Sequence, residues 1–132
     1  MIKISNKQAR QIWLTSQKLT EVEPWGQGPE ATHLAIQHLG YVQIDTINVI
    51  ERCHHHILWN RIPKYKKQDL QYNQSVSKTI FEAWTHALSY VSTEEFNFYI
   101  RRMKEFEKNP GSWFNVDPSE VQRVLKILKS GA

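Results

Sequence analysis

Helix-start signals recur along this sequence and divide it into short helices separated by loops. Ser5 stands three residues before Gln8, and Ser92 stands three residues before Glu95, so both segments fit a capping box. Asp117 precedes a proline, which suits the first position of a helix. We therefore expect a mainly helical chain that is built from several pieces.

Apolar spacing and loop residues indicate where the other helices lie. The first helix follows Ser5, and its apolar residues extend to Leu19, before a loop over residues 20–28. A second helix begins at Pro29 and ends at Gly40, which suits a C-terminal cap. Further helices are expected over residues 49–61, over residues 66–78, after Ser92 and after Asp117.

Two segments are predicted to be strands. Residues 41–45 alternate in polarity, so Gln43 and Asp45 share one face of a short strand. Residues 80–91 predict one longer strand, and the residues on one of its faces are Glu82, Trp84, His86, Leu88 and Tyr90. The fold class is therefore mainly α with short β strands, and the order of elements favours a winged helix-turn-helix module.

The composition is that of an ordinary globular domain of 132 residues, with 40% hydrophobic and 23% charged residues. A single cysteine, Cys53, excludes an internal disulfide and fits a reducing compartment. The sequence lacks an apolar run of the roughly 20 residues that a membrane helix needs, and we expect no membrane contact. The net charge of +4 favours an anionic partner, and the expected location is the cytoplasm.

Three blocks of sequence carry a recognisable pattern. They are LGYVQIDTINVIERCH at residues 39–54, HILWNRI at residues 56–62 and FEAWTHALSYV at residues 81–91. Their order and spacing resemble the winged-helix DNA glycosylases of the crosslink-repair, YcaQ-like family. That family has two branches, which carry either a Gln-x-Gln or a Gln-x-Asp motif, and Gln43 and Asp45 resemble the Gln-x-Asp branch.

The resemblance implies a monofunctional DNA glycosylase that hydrolyses the N-glycosidic bond of bulky alkylated or crosslinked purines in DNA repair. It implies no cofactor, and it implies that Gln43 and Asp45 position and activate the water. Family members carry tandem winged helices and a further C-terminal region. We therefore expect a winged-helix domain over residues 1–108, a linker over 109–117, and the first helix of a truncated second module over 118–132.

The chemistry suits these two residue types. An N7-alkylated purine is cationic and leaves without protonation, so the site needs a held water and negative charge near the sugar. On a strand, alternate residues point the same way and lie roughly 6.5–7 Å apart, so Gln43 and Asp45 can bracket one water. The alternative interpretation is that Asp45 is a cap or turn residue.

Three further residues, Glu82, Trp84 and His86, are predicted to complete a pocket near Asp45. Each also has an ordinary structural interpretation. Trp84 is either a core residue or a base-stacking platform, and His86 is either a pocket residue or a hydrogen-bonded structural histidine. Glu82 is either part of the pocket, the partner of His86 or a solvated strand residue.

The run of potential ligands from Cys53 to His56 does not predict a metal site. Successive helical residues turn by about 100°, so three consecutive histidines do not converge on one ion. Cys53 and His56 share a face but supply only two ligands.

Basic residues are the predicted contacts to double-stranded DNA, and they are Arg52, Arg61, Lys64, Lys66, Lys67, Arg101 and Arg102. Arg52 and Arg61 lie on the predicted third helix and would contact DNA if that helix is the recognition helix. The lysines at 64–67 have no acidic neighbour before Asp69, which favours phosphate binding. The 101–102 pair is equally well explained as a solvated helix face.

Three functions from different classes stay open. The first is a DNA glycosylase module, and the second is a catalytically inactive winged helix, from a truncated paralogue, that binds DNA. The third is an interaction protein that self-associates through the C-terminal helix, whose apolar stripe is Val121, Val124, Leu125 and Leu128.

Overall fold

The computed structural model describes residues 3–109 and 116–131, which form six α-helices and a three-stranded antiparallel sheet. The helices are α1 (Asn6–Ser16), α2 (Gly28–Leu39), α3 (Cys53–Arg61), α4 (Lys67–Ser75), α5 (Phe96–Lys108) and α6 (Pro118–Lys129). The strands are β1 (Val42–Gln43), β2 (Ile80–Trp84) and β3 (Leu88–Ser92), in the sheet order β1-β3-β2. The predicted fold class is confirmed, and the arrangement is compatible with a winged helix.

The chain divides into two compact units, residues 1–98 and residues 99–132. The first unit holds α1 to α4 and the sheet, whereas the second holds most of α5 and all of α6. The domain boundaries predicted at residues 108 and 117 stay predictions. Residues 110–115 of the predicted linker lie outside the described residues.

The core of the first unit lies between three helices and the sheet. Helix α2 packs against α3, α4 and β3, while α3 packs against β1 and α4 packs against β2. The buried apolar cluster consists of Ala31, Ala35, Ile36, Val42, Leu58, Ile62, Tyr65, Leu70, Ile80 and Tyr90. The side-chain amide of Asn73 donates to the Pro29 carbonyl at 2.7 Å, which joins α4 to the start of α2.

The helix ends at Ser5, Gly40 and Asp117 follow the predicted signals. The predicted capping box of Ser92 with Glu95 is not observed, because the Ser92 hydroxyl accepts the Glu94 N–H and caps a short 3-10 turn before α5. Gln8 donates its backbone N–H to the Ser5 hydroxyl at 3.3 Å and accepts the Ser5 N–H at 2.9 Å, which completes the capping box. Gly40 ends α2 with a φ of 79°, a conformation that favours glycine. The Asp117 carboxylate accepts the Ser119 N–H at 2.8 Å and caps α6.

The prediction of a single strand over residues 80–91 is wrong, because the chain reverses within it. Strands β2 and β3 form a hairpin in which Trp84 lies opposite Leu88. The Thr85 N–H donates to the Ala87 carbonyl at 3.0 Å and closes the turn between the strands. The reversal lets one segment supply two neighbouring strands of the same sheet.

The third helix begins later than predicted, at Cys53 instead of residue 49. The Glu51 carboxylate accepts the Arg52 N–H at 3.0 Å, and a bridge between Asn48 and Arg52 closes the preceding bend. These contacts keep the segment before Cys53 out of the helical hydrogen-bond pattern. Helical spacing over residues 49–61 predicts that Ile50 and Cys53 share one apolar face with Ile57 and Leu58, but Ile50 and Cys53 are exposed.

Helices α5 and α6 contain no buried residue among their described positions. Helical spacing after Ser92 predicts a buried stripe of Phe96, Tyr99, Ile100 and Met103, and this prediction is wrong, since all four are half-buried or exposed. The apolar stripe of α6 is exposed at Val121, Val124, Leu125 and Leu128. Pairing of this stripe with another chain stays a prediction.

Truncation of the fully buried Ile36 should test the core. Ile36→Ala removes side-chain contacts where α2 meets the sheet, and we expect a loss of about 2–5 kcal/mol in the free energy of unfolding. Urea denaturation followed by circular dichroism measures this loss. Val22→Ala is the control, because Val22 is 92% exposed and its truncation should change the unfolding midpoint little. Equal midpoints for Ile36→Ala and the wild type would contradict the assigned core.

Candidate functional site

The Gln-x-Asp motif spans the end of β1. After Gln43, the Ile44 N–H donates to the Leu88 carbonyl at 2.8 Å, so the chain stays beside β3 for one more residue. Asp45 then turns, and its Oδ1 accepts the Ile47 N–H at 2.8 Å. Gln43 and Asp45 are both half-buried. The turn interpretation of Asp45 is therefore observed, and it fixes the orientation of the carboxylate.

A concavity of about 280 Å³ opens beside Asp45. Its lining residues are Asp45, Ile47, Val49, Ile50, Glu51, Cys53 and His56. Val49 and Ile50 form exposed apolar walls, whereas Asp45 and Glu51 supply carboxylates. This combination of apolar walls and carboxylates suits a ligand that has an apolar surface and positive character.

The sheet register separates Gln43 from the predicted pocket residues. Val42 lies opposite Tyr90, and Gln43 lies opposite Ser89. Tyr90 also lies opposite Glu82 on the other side of β3. Cross-strand partners share a face and successive residues alternate, so Gln43 and Glu82 lie on opposite faces of the sheet.

The structure does not bring Glu82, Trp84 and His86 into the concavity beside Asp45. Glu82 accepts a hydrogen bond from the Gln74 side chain at 2.7 Å. Trp84 shares the face of Glu82 and is 56% exposed, so it is not a core residue. His86 lies in the exposed turn of the hairpin, and its predicted place on a strand face is wrong because the chain reverses there.

His54 is a buried neighbour of the concavity that the sequence reasoning did not assign to the site. It is 3% exposed, and its ring contacts the Tyr90 ring at a centroid distance of 5.7 Å. Its Nδ1 has no hydrogen-bond partner among the described residues. The pKa of His54 is lowered to about 4, mainly by burial and also by the nearby His55 and Arg52, while the carboxylates of Glu51 and Asp45 oppose the shift. The i, i+4 spacing of His54 and the buried Leu58 is the signal that indicates this position.

Glu51 joins the start of α3 to the start of α4. Its carboxylate forms an ion pair with Lys67 and accepts the Arg52 N–H at 3.0 Å. The hydrogen bond from Lys67 is the main reason that the pKa of Glu51 is lowered to about 2. Glu51 therefore carries a negative charge at the rim of the concavity, and Lys67 is partly neutralised.

The predicted DNA-contacting cations differ in their surroundings. Arg52, Lys64 and Lys66 are exposed. Arg61 is half-buried and donates to the Gln17 carbonyl at 2.6 Å, which ties α3 to the end of α1. In the second unit, Arg101 donates a hydrogen bond to the Glu105 carboxylate at 2.9 Å. The guanidinium of Arg102 lies 5.6 Å from the centre of the Phe106 ring.

The histidine run at the start of α3 makes separate contacts. His55 Nδ1 lies 2.8 Å from the Tyr65 hydroxyl, and His56 Nε2 lies 3.1 Å from the Glu51 carbonyl. Over residues 3–109 and 116–131, no three His, Cys, Asp or Glu side chains are grouped as a metal site requires.

The described helices include none that is long and apolar enough to cross a bilayer.

The family model of the DNA glycosylase AlkZ-like proteins matches residues 36–132, which include the motif at Gln43 and Asp45. The chain belongs to this family. The predicted resemblance is thereby confirmed, and it relates the chain to DNA repair and to DNA as its partner. No solved structure matches the chain.

The depressed pKa of His54 predicts a specific pH dependence of stability in this AlkZ-like chain. Its folded value of about 4 lies below the ordinary 6.5, so the folded state binds fewer protons between these values. The free energy of unfolding should therefore fall as the pH falls from 6.5 to 4, and His54 contributes at most about 1.4 kcal/mol per pH unit to this slope. Denaturation at several pH values measures the slope.

His54→Phe keeps a ring in the core and removes this titration, so the slope should become flatter. The lowered pKa of His55 leaves a residual slope of the same sign. His86→Gln, at an exposed position, is the control and should retain the wild-type slope. An unchanged slope in His54→Phe would refute the assignment.

Proposed function

We propose that this chain is a DNA glycosylase module that hydrolyses the N-glycosidic bond of alkylated or crosslinked purines in duplex DNA. Asp45 is the proposed base and electrostatic stabiliser, and Gln43 is the residue that orients the water. The observation that carries the proposal is the position of Asp45 at a concavity with apolar walls, in a chain of the AlkZ-like family.

The proposed reaction does not require protonation of the leaving base. In an N7-alkylated purine the base already carries a positive charge, so the bond electrons move onto the base without its protonation. Water forms the new bond to the anomeric carbon and gives its proton to Asp45. Negative charge next to the developing sugar cation stabilises the transition state.

The geometry around Asp45 fits this role. Oδ1 is occupied by the Ile47 N–H, whereas Oδ2 receives no hydrogen bond from the rest of the described chain. Oδ2 is thus available to a water. Gln43 precedes Asp45 by two residues, and alternate residues of an extended chain lie roughly 6.5–7 Å apart, so in this proposal the two side chains hold one water between them.

Asp45→Asn tests the proposed base with little disturbance of the fold. The amide oxygen can still accept the Ile47 N–H, so the turn is preserved while the charge is lost. We expect the release of N7-methylguanine from a duplex to slow at least about 100-fold, the contribution of a general base. Quantification of abasic sites in single-turnover reactions measures the rate.

Glu107→Gln, an exposed carboxylate on α5, is the matched control and should release the base at the wild-type rate. Gln43→Ala should also slow the reaction, because the water loses its orienting amide. Base release by Asp45→Asn at the wild-type rate would refute the catalytic assignment.

Helix α4 is the proposed recognition helix. The helices α3 and α4 are consecutive and separated by residues 62–66, and the second helix of such a pair enters the major groove. Lys64 and Lys66 precede α4 and are exposed, so they are placed to contact phosphates as the helix begins. Arg52 is the third proposed phosphate contact, since the ion pair of its neighbour Glu51 with Lys67 holds it near the start of α4.

The phosphate contacts should appear in the salt dependence of DNA binding. Each neutralised phosphate contributes about −0.9 to the slope of log K against log salt. The double variant Lys64→Ala/Lys66→Ala should therefore flatten the slope by about 2. Fluorescence anisotropy with a labelled duplex at several salt concentrations measures it. Lys3→Ala/Lys7→Ala, two exposed lysines at the other end of the unit's sequence, should keep the wild-type slope. Equal slopes in all three proteins would rule out the lysine contacts.

A second candidate function is duplex binding without base release. It is favoured by the turn at Asp45, because the Oδ1 contact to Ile47 gives this carboxylate a structural role of its own. The experiments above distinguish the two candidate functions. A binding module retains the salt-dependent affinity and releases no base from any alkylated duplex. Location in the cytoplasm, contact to the nucleoid and self-association through α6 are further proposals that accompany either function.

A further inference from the structure

Three aliphatic side chains are exposed in the bend between β1 and α3. Ile47, Val49 and Ile50 are 68%, 89% and 88% exposed, so water covers most of their apolar surface. Single exposed aliphatic residues are common, but a group of them at one concavity marks a place where a partner binds. We call these three residues the aliphatic bend.

The backbone of the aliphatic bend is fixed by hydrogen bonds on both sides. At its start, the Asp45 carboxylate accepts the Ile47 N–H at 2.8 Å. At its end, the bridge between Asn48 and Arg52 closes the bend before α3 begins. A backbone that is already ordered loses little further entropy when its side chains meet a ligand. The bend therefore presents its aliphatic side chains in a fixed arrangement.

The aliphatic bend borders the proposed position of the target nucleotide. Ile47, Val49 and Ile50 line the same concavity of about 280 Å³ as Asp45. The exposed Arg52 follows Ile50 by two residues, so a cation accompanies the apolar side chains. The bend thus combines apolar surface with a positive charge next to the carboxylate at which the chemistry is proposed.

We propose that Val49 and Ile50 form a wedge that enters the base stack beside the target nucleotide and fills the space that this nucleotide vacates. The inference rests on the proposed function, because it takes Asp45 as the position of the target nucleotide. An enzyme that acts on a base inside a duplex must extrude it, which leaves a gap in the stack. Proteins that kink DNA combine basic residues with aliphatic side chains inserted between base steps.

The wedge acts on the opening of the duplex and not on the chemical step. Val49 and Ile50 leave water only when the gap is open, so their burial stabilises the opened duplex relative to the paired one. Neither side chain carries a group that can hold the water or accept its proton. Both are therefore positioning residues, whereas Asp45 keeps the proposed role of the base.

Binding to an abasic duplex tests the wedge without requiring base release. The probe is a duplex with one tetrahydrofuran abasic analogue, compared with the same duplex fully paired. The wild type should prefer the abasic duplex, in which the gap already exists. Val49→Ala/Ile50→Ala should lose at least about tenfold of that preference, because it removes the apolar groups that fill the gap. Fluorescence anisotropy at constant salt measures both affinities.

The wedge variants should fold, because truncation of side chains that are almost 90% exposed changes stability little. Val49→Leu/Ile50→Leu retains an aliphatic wedge and should keep most of the preference. The matched control is Ile12→Ala/Val22→Ala, which removes the same apolar groups at two exposed positions outside the residues matched by the family model. It should keep the full preference for the abasic duplex.

A second measurement reports whether the wedge enters the stack. Stacking on neighbouring bases quenches the fluorescence of 2-aminopurine, so a wedge that separates it from them should raise its emission. With 2-aminopurine placed beside the tetrahydrofuran site, saturating wild-type protein should therefore increase the fluorescence. Val49→Ala/Ile50→Ala should give a smaller increase at saturation, whatever its affinity.

Four results would overturn the inference in the binding experiment or the fluorescence experiment. They are no preference of the wild type for the abasic duplex, an unchanged preference in Val49→Ala/Ile50→Ala, an equal loss in Ile12→Ala/Val22→Ala, and saturated binding without increased fluorescence. A wild-type dimer that only Val49→Ala/Ile50→Ala dissociates would assign the bend to a protein interface and would also overturn it. Failure of the proposed function is recognised separately, because it appears as base release by Asp45→Asn at the wild-type rate.

Discussion

The hydrogen bond between the Ile44 N–H and the Leu88 carbonyl is the contact on which the site depends. Strand β1 has only two residues, and this bond extends its pairing with the central strand until the chain reaches Asp45. The central strand is held in turn by the core, since Tyr90 packs among buried residues of α2, α3 and α4. The position of the Asp45 carboxylate therefore depends on core residues that do not themselves line the candidate site.

Local signals predicted the helix ends well, because a cap is formed within a few residues. The Ser5 capping box, the Gly40 cap and the Asp117 cap are all observed where the sequence indicates them. The hairpin was not predicted, since apolar alternation over residues 80–91 is the same for one long strand and for two paired strands. The choice between them depends on side-chain contacts across the turn, such as that between Thr85 and Ser89.

The strand period predicts that Gln43 and Asp45 share a face, and this pairing stays a prediction. The concavity beside Asp45 depends on a bend that removes Ile50 from the predicted helix, which the sequence did not indicate. That bend is stabilised by the Glu51 carboxylate, which binds the backbone next to it and the distant Lys67. A pair separated by sixteen residues leaves no periodic signal in the sequence.

The two interpretations of Asp45 do not exclude each other. A carboxylate that only closed a turn would need one acceptor oxygen, and Asn would serve as well. A carboxylate that acts as a base needs a fixed orientation and a free oxygen, and the Ile47 N–H supplies the orientation by occupying Oδ1 alone. The turn therefore holds Oδ2 in one direction before any DNA arrives. This division between the two oxygens makes the observed turn compatible with the proposed role of Asp45 as a base.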